Sequence, residues 1–324
     1  MTVLFPTNWL SAVVSAIRRP VRFITTIFWL IASVVFSLLA PSVPHSSSNN
    51  LNFGRLPSPS PLNKILPTSL LTSGVRPKRF HSHNDSSRKV PVYHALSLGA
   101  GSIEADVRVV NSSLLVGWSN DPDVTFVSSY VKPLEALLDA CNSKAGGRKR
   151  GIYDVAPELP LQLMIDLKSD VQVSFPMVFE ALEPLRKKGY LTTYYCQTGQ
   201  IHYSAITVII TTHANVFELV EALEARDMFM DAPLLNIRDP SLTPTISPTA
   251  HMSFIRHFGN GWMIGRHRQE LRRLIDAAHE KGIMVRIWDV PNSPKWFRNR
   301  IWRMLLDEGV DWLNADDIDA AAAF

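Results

Sequence analysis

From about residue 75 to the end of the chain, strand-like and helix-like segments alternate, and this alternation restricts the possible folds most strongly. The segments "SIEADVRVV", "LPLQLMIDLKS", "AITVIITT", "MFMDAPL" and "IMVRIWDV" are typical of strands. The segments "KPLEALLDACNSK", "FPMVFEALEPLRKKG", "VFELVEALEAR" and "RHRQELRRLIDAAHEKG" are typical of helices. Repeated strand–helix units over ~250 residues indicate a parallel sheet covered by helices. Their number favours an α/β fold of the closed (β/α)8 TIM-barrel type over an open doubly wound sheet.

The N-terminal part of the chain contains a membrane signal. Residues 23–40 are uncharged and mostly apolar, which suits a short membrane-spanning helix. Residues 1–22 are basic, and Arg18, Arg19 and Arg22 beside the apolar run predict a cytosolic N-terminus. We therefore expect a single-pass membrane anchor, with the folded domain on the non-cytosolic side of a secretory-pathway or mitochondrial membrane. A cleaved signal peptide and a mitochondrial presequence are the alternatives.

Composition separates the N-terminal region from the rest of the chain. Residues 41–74 are rich in Ser, Pro and Asn, which is typical of a disordered linker, so the folded domain is expected to span 75–324. Residues 1–74 hold five basic residues and no acidic one, whereas the remainder has 28 basic against 29 acidic residues. The basic character therefore belongs to the N-terminal region. The folded part has no charge pattern typical of nucleic-acid binding.

Acidic residues end two neighbouring predicted strands. Glu104 and Asp106 are two apart on one strand, so both carboxylates should point into the barrel. Asp166 and Lys168 end the next long strand with the same spacing. Carboxylates held together repel unless a cation compensates, and their oxygens suit Mg²⁺, or alternatively Ca²⁺, better than Zn²⁺. We expect a metal on the three acids, with Lys168 as a catalytic cation beside an anionic substrate.

Histidines also lie at predicted strand ends, where barrel active sites form. The stretch "HSHND" at 81–85 follows the first strand and supplies His81, His83 and Asn84. His213 ends "AITVIITT" and Trp288 ends the strand within "IMVRIWDV". Histidine exchanges protons near neutral pH, so His81, His83 and His213 are candidate acid–base residues. Asn84 and Trp288 are candidate substrate-binding residues.

Several of these motifs together resemble a known family. "HSHND" with "PVYHALSLGAGSIEADVRVVNSSLLVGW", then "LMIDLKSD", "FMDAPL", "VRIWDVPN" and "GVDWLNADD", closely resemble the fungal altered inheritance of mitochondria protein 6 family. That family is similar to phosphatidylinositol-phospholipase-C-like and glycerophosphodiester phosphodiesterase barrels, and the resemblance spans roughly residues 75–324. It implies that His81 or His83 acts with Mg²⁺ bound to the acids, and that Trp288 lines the pocket.

One position departs from the pattern of those phosphodiesterases. After "LLVG" a second catalytic histidine is usual, but this chain has Trp118, which cannot transfer protons. Cleavage of a phosphodiester needs a base for the attacking oxygen and an acid for the leaving one. His81 and His83 would then divide the two roles, or His213 would act as the acid. Trp118 itself becomes a candidate substrate-binding residue.

The sequence therefore predicts a membrane-anchored, metal-dependent phosphoric diester hydrolase acting on a phosphodiester or phospholipid-derived substrate, possessing a (β/α)8 barrel. A barrel that binds lipid headgroups without catalysis is the first alternative, because Trp118 replaces a proton-transfer residue. A zinc amidohydrolase is the second, because the H-x-H pair of His81 and His83 also occurs in that class.

Overall fold

The computed structural model describes residues 71–143, 149–259 and 267–324. Eight parallel strands form one closed sheet in chain order, because the first strand pairs with both the second and the last. The barrel predicted from the sequence is confirmed. Its strands are β1 Lys78–Ser82, β2 Ala100–Val110, β3 Leu161–Leu167, β4 Ile206–Thr211, β5 Met228–Pro233, β6 Thr249–Ser253, β7 Met284–Trp288 and β8 Trp312–Ala315.

Helices cover the outside of the barrel. In α7, Leu271, Ile275 and Ala278 recur on one face and are buried, as expected for an amphipathic helix packed on a sheet. The described helices are α1 Tyr93–Ser97, α2 Lys132–Asn142, α3 Val171–Ala181, α4 Glu183–Lys187, α5 Phe217–Glu221, α6 Phe254–Phe258, α7 Arg268–Glu280, α8 Lys295–Asp307 and α9 Ile318–Ala323.

The inner face of the barrel is unusually polar toward the C-terminal ends of the strands. Arg286 on β7 reaches Asp231 on β5 past the intervening β6, an approach that is made through the barrel interior. Side chains alternate between the two faces of a strand, so the residues two positions along point inward as well. The helix-facing side of β2, β3 and β4 is instead apolar, with Ile103, Ala105, Ile165 and Ile210 fully buried.

Three details differ from the sequence expectation. The sixth strand, "TAHMS", was not predicted, because it lacks an apolar run. The expected helix "VFELVEALEAR" stops at Glu221, and Ala225–Arg226 joins a small antiparallel sheet with Thr193–Tyr195 and Gln200–His202. The expected helix "FPMVFEALEPLRKKG" is divided into α3 and α4.

The predicted anchor at 23–40 lies outside the described residues. Within the described ranges, no helix has both the length and the apolar character needed to cross a membrane. At the end of the predicted linker, the Thr72 hydroxyl donates to the Ile152 carbonyl at 2.7 Å. The chain therefore already contacts the barrel before Val75.

Candidate active site

Three carboxylates meet where the middle of β2 pairs with the C-terminal end of β3. Glu104, Asp106 and Asp166 each present an oxygen within 4.8 Å of the others. Asp106 lies directly opposite Asp166 in the parallel pairing of the two strands. Glu104 is nearly buried and Asp166 is the most accessible of the three. The two-residue spacing places Glu104 and Asp106 on one face of β2, and the register with β3 brings Asp166 beside them.

Lys168 lies against the same acids. Its Nζ is 3.0 Å from Asp106 Oδ1 and 2.5 Å from Asp166 Oδ2. Burial disfavours the ammonium group, but the two carboxylates outweigh this effect and raise the pKa of Lys168. One lysine offsets only one of the three carboxylate charges. The cluster therefore retains an excess of negative charge when all three acids are ionised.

Glu104 connects the acidic cluster to the histidines. Its Oε2 accepts the Asn84 backbone N–H at 2.8 Å, and Asn84 adopts a left-handed conformation with φ of 49° to make this contact. The same oxygen lies 3.7 Å from His83 Nε2. Burial raises the pKa of Glu104, and the neighbouring Asp106 adds to that shift. A cation at this position would favour the ionised carboxylate.

His83 pairs with an acid near the C-terminal end of the chain. Its Nδ1 lies 2.7 Å from Oδ1 of Asp316, which directly follows β8. Burial opposes protonation of the ring, but Asp316 and Glu104 outweigh it and raise the pKa of His83. The hydrogen bond from His83 in turn keeps the pKa of Asp316 well below its usual range. Asp316 thus fixes Nδ1 and leaves Nε2 facing the acidic cluster.

His81 has a different environment on the same strand. Its side chain is fully buried, and its Nδ1 lies 2.7 Å from the Ser102 hydroxyl. Burial, aided by the Arg286 charge, lowers the pKa of His81 well below its ordinary value. Its Nε2 is buried 3.9 Å from Glu104 Oε2 and has no hydrogen-bond partner. His81 is therefore a neutral ring at neutral pH.

Asp85, the last residue of "HSHND", holds the loop in place. The buried carboxylate accepts hydrogen bonds from the Ser82 hydroxyl at 2.7 Å and the Val92 N–H at 2.8 Å. These bonds fix the turn that carries His83 and Asn84. Asp85 therefore has a structural role beside the site.

The donor set fits a hard divalent cation. Among the described residues, Glu104, Asp106 and Asp166 form a group of potential metal ligands whose ligand atoms lie within 4.8 Å of one another. Carboxylate oxygens are the ligands of Mg²⁺ and Ca²⁺. Among the residues the structure describes, neither His81 nor His83 belongs to this group, so the H-x-H pair does not join the acids as a zinc set. The excess negative charge beside Lys168 independently favours a cation.

Trp118 lies at the rim of the site. Its side chain is 84% exposed, with the Arg108 guanidinium 6.0 Å from the ring. The preceding Gly117 donates its N–H to the Asp106 carbonyl and has φ of +59°. A Cβ on Gly117 would lie 3.2 Å from the Ser86 hydroxyl, which itself donates to Asp106. This close packing places Trp118 beside the acidic cluster.

The remaining two predicted residues lie farther around the mouth. Trp288 ends β7, and its indole N–H is buried without a hydrogen-bond partner. The Arg256 guanidinium lies 5.8 Å from the centre of the Trp288 ring. His213 is exposed beyond the end of β4. The structure thus brings His83 to the acids but leaves His213 in an outer loop.

Comparison with known proteins now adds to this geometry. The sequence model of the AIM6-like phosphodiesterase domain matches residues 69–231. An altered inheritance of mitochondria protein 6 homolog from Arthroderma benhamiae is 36% identical over 273 residues, covering 78% of this chain and 86% of the relative. The chain belongs to the altered inheritance of mitochondria protein 6 family. The resemblance seen in the motifs is confirmed.

Two further members of the altered inheritance of mitochondria protein 6 family match a similar share of this chain at lower identity. The protein from Eremothecium gossypii is 31% identical over 268 residues, covering 76% of this chain and 69% of the relative. The protein from Saccharomyces cerevisiae is 30% identical over 281 residues, covering 78% of this chain and 72% of the relative. The match and the barrel together indicate a protein of the phosphodiesterase-barrel type.

In this member of the altered inheritance of mitochondria protein 6 family, a second polar cluster fills the other side of the barrel. Asp231 accepts hydrogen bonds from Arg286 Nη2 at 2.7 Å and from the Thr249 hydroxyl at 2.8 Å. Arg286 Nη1 donates to Asn314 Oδ1 at 2.9 Å. Burial disfavours the carboxylate, but His251 and Arg286 reverse this and hold the pKa of Asp231 well below its usual range. The charges of Asp231 and Arg286 therefore balance each other inside the barrel.

Sequence reasoning missed the role of this cluster. His251 gave no signal, because its strand was not recognised. Asp231 and Arg286 were visible as charges inside the strand patterns "MFMDAPL" and "IMVRIWDV". A charge within a buried strand needs a partner, so these two residues were a detectable pair. Their positions on strands separated by β6 became apparent only in the folded barrel.

Proposed function

We propose that this barrel is a Mg²⁺-dependent phosphodiesterase. The observation that supports this function best is the 3.7 Å approach of His83 Nε2 to Glu104 Oε2, which puts an acid–base residue beside a three-carboxylate cluster. Phosphodiester hydrolysis needs both positive charge beside the phosphoryl oxygens and a base for the nucleophile. A cation on the three carboxylates and His83 would supply both at one end of the barrel.

Each residue at the site has a distinct task in this proposal. Glu104, Asp106 and Asp166 hold the cation, which when bound stabilises negative charge on the phosphoryl oxygens. His83 accepts the proton of the attacking oxygen at Nε2, while Asp316 orients the ring through Nδ1. Lys168 keeps Asp106 and Asp166 together and adds positive charge near the phosphate. His81 is a fully buried, neutral ring next to Glu104.

A phospholipid-derived substrate is supported by features of the sequence and of the rim. Residues 23–40 are suited to anchoring the chain, with the barrel on the non-cytosolic side of its membrane. Trp118 is 84% exposed just after the short strand Ser113–Val116, and Trp296 is 59% exposed at the start of α8, the helix that follows β7. Arg108 is near the first and Lys295 adjoins the second. Tryptophan beside a cation is typical of contact with lipid headgroups.

The catalytic proposal is tested with the full chain and a metal titration. Hydrolysis of glycerophosphodiesters, lysophospholipids and phosphatidylinositol would be measured with increasing Mg²⁺, beside the variants His83→Ala and His257→Ala. We expect Mg²⁺-dependent turnover that falls roughly a hundredfold or more in His83→Ala. His257 contacts Glu270 on the outside of the barrel, so its variant should retain activity. Binding of these compounds without turnover by the wild-type chain would instead identify a non-catalytic headgroup-binding barrel.

The rim is tested separately with vesicles that contain anionic phospholipid. To remove the effect of the predicted anchor, only differences between full-length variants are compared. The double variant Trp118→Ala/Trp296→Ala should reduce contact of the barrel with the bilayer, read as lower quenching, by lipid-attached quenchers, of a dye attached to the barrel. Leu159→Ala/Leu306→Ala removes exposed apolar side chains that lie outside the strand-end loops and is the control. Equal quenching in both double variants would exclude the rim as a lipid contact.

A further inference from the structure

Phosphodiester cleavage leaves one chemical requirement unmet at the acidic side of the mouth. The leaving oxygen departs with an electron pair and needs a proton, unless it is already a stable anion. Trp118 has no transferable proton, and Lys168 is committed to two carboxylates. His81 is fully buried and His213 is exposed beyond its strand. None of these residues offers a proton at a position open to a bound substrate.

His251 on β6 is placed differently. Its Nδ1 lies 3.0 Å from Asp231 Oδ2, although the two atoms are not aligned for a hydrogen bond. Nδ1 is buried, yet the side chain as a whole is 19% exposed. Helices cover the outer face of the strand, so an inward-facing residue meets solvent through the mouth. The rest of the imidazole ring is therefore accessible from the substrate side.

Asp231 is held rigidly in its charged form. Arg286 and Thr249 each donate to one of its oxygens, and Asn314 in turn accepts from Arg286. The negative charge beside His251 therefore stays fixed in position. The charged groups that face His251 are Asp231 from β5 and Arg286 from β7, and Arg256 from α6 covers the adjacent Trp288.

The position of β6 relative to the acids also fits. In a closed ring of eight strands, β6 lies directly across from β2, which carries Glu104 and Asp106. The interior of an eight-stranded barrel is only wide enough for side chains or one small ligand. A phosphodiester bound at the acids would extend its leaving group across this narrow mouth. Trp288, whose ring centre is 6.4 Å from that of His251, lines the same side.

We propose that His251, paired with Asp231, is the general acid that protonates the leaving oxygen, an inference that rests on the proposed function. In this step the attacking oxygen forms a bond to phosphorus and gives its proton to His83. The bond from phosphorus to the leaving oxygen breaks, and its electron pair stays on that oxygen. The proton of the His251 imidazolium moves to it. His251 ends neutral and His83 ends protonated, so protons and charge balance.

Two substrates that differ only in the leaving group test this role. Full-length wild type, His251→Ala and His251→Asn would be assayed with saturating Mg²⁺ on an alkyl phosphodiester and on its p-nitrophenyl counterpart. p-Nitrophenolate is a stable anion and needs no proton, whereas an alkoxide does. We expect kcat to fall roughly a hundredfold to ten-thousandfold on the alkyl substrate and only a few-fold on the p-nitrophenyl one. His257→Ala, which alters a histidine of α6 outside the barrel, is the matched control.

The ratio of the two rates does not depend on the fraction of folded protein, because misfolding lowers both equally. An equal loss on both substrates, or no loss on either, would overturn the assignment of His251 as the acid. If wild type hydrolyses neither substrate, the proposed function itself fails, and the inference fails with it. Wild-type turnover with an unchanged ratio in the variants would reject only His251.

Discussion

The two sides of the barrel mouth use buried charge in opposite ways. On β2 and β3, three carboxylates face a single lysine, so negative charge is left over. Across the mouth, Asp231 and Arg286 form a buried ion pair. Thr249 donates a further hydrogen bond to Asp231, and Asn314 accepts one from Arg286. The first side is suited to receive a cation and a substrate. The second holds its own groups in position.

This contrast shows why a count of charged residues does not identify a site. Buried charges that satisfy each other add rigidity, and an apolar replacement of the whole pair is often no less stable. Buried charges that remain unbalanced destabilise the empty protein and are expected where a ligand supplies the missing charge. Removing a single acid should therefore have opposite consequences on the two sides.

The largest effect is expected on the acidic side, from Asp106→Asn. We predict that hydrolysis falls by about a thousandfold, because several kcal/mol of charge stabilisation depend on the bound cation. Unfolding free energy should change by no more than about 1 kcal/mol, since the Lys168 pair is partly solvated and a repulsion with Glu104 is relieved. Isothermal titration calorimetry with Mg²⁺ would check the loss of binding. Asp123→Asn, in an exposed loop, is the control.

On the paired side, Asp231→Asn should lower stability as well as activity, because Asp231 balances the Arg286 charge and also pairs with His251. We predict a loss of about 3–5 kcal/mol in unfolding free energy near pH 7, because Arg286 is left as an unpaired buried charge. The pKa of Asp231 is lowered in the fold, so its contribution is present above the unfolded pKa of about 4 and is lost as pH falls below it. Urea unfolding at several pH values would check this. A variant whose deficit stays constant in acid would contradict the assignment.

A smaller effect is expected from Asp316→Asn, which removes the partner of His83. The raised pKa of His83 predicts that activity increases with pH through a value above the ordinary one, as the base form appears. Without Asp316 this rise in activity should occur at lower pH. The maximal rate should fall roughly tenfold, because the His83 ring is less well oriented. A pH–rate profile is the measurement. Asp319→Asn, an exposed acid of α9, should leave this rise in place.

The smallest effect is expected from Trp118→His. If His251 supplies the leaving-group proton, a new histidine at the rim should change turnover by no more than about twofold. Steady-state assays on the alkyl phosphodiester would measure it. A large gain would instead identify this chain as a catalytically impaired member of its family and place the missing acid at Trp118.

The sequence predicted different parts of the molecule with unequal success. The E-x-D and D-x-K spacings put each pair of charged residues on one face of its strand, because a strand has a period of two that short motifs reveal. Asp166 and Lys168 lie at the end of β3 as expected, whereas Glu104 and Asp106 lie inside β2, which continues to Val110. The sixth strand was missed because "TAHMS" is short and lined with polar inward residues. Its polarity reflects the polar interior of the barrel that it faces.

By itself, the sequence determined the α/β barrel, the acidic pair on β2 and the histidines of "HSHND", because each follows from local periodicity and spacing. The tertiary structure alone decided the distant partners: Asp316 for His83, Lys168 for Asp106, and Asp231 for Arg286 and His251. Closure of the sheet joins β1 to β8 and turns β5, β6 and β7 toward a common interior. Pairings between residues so distant in the chain depend on barrel geometry, which no local pattern encodes.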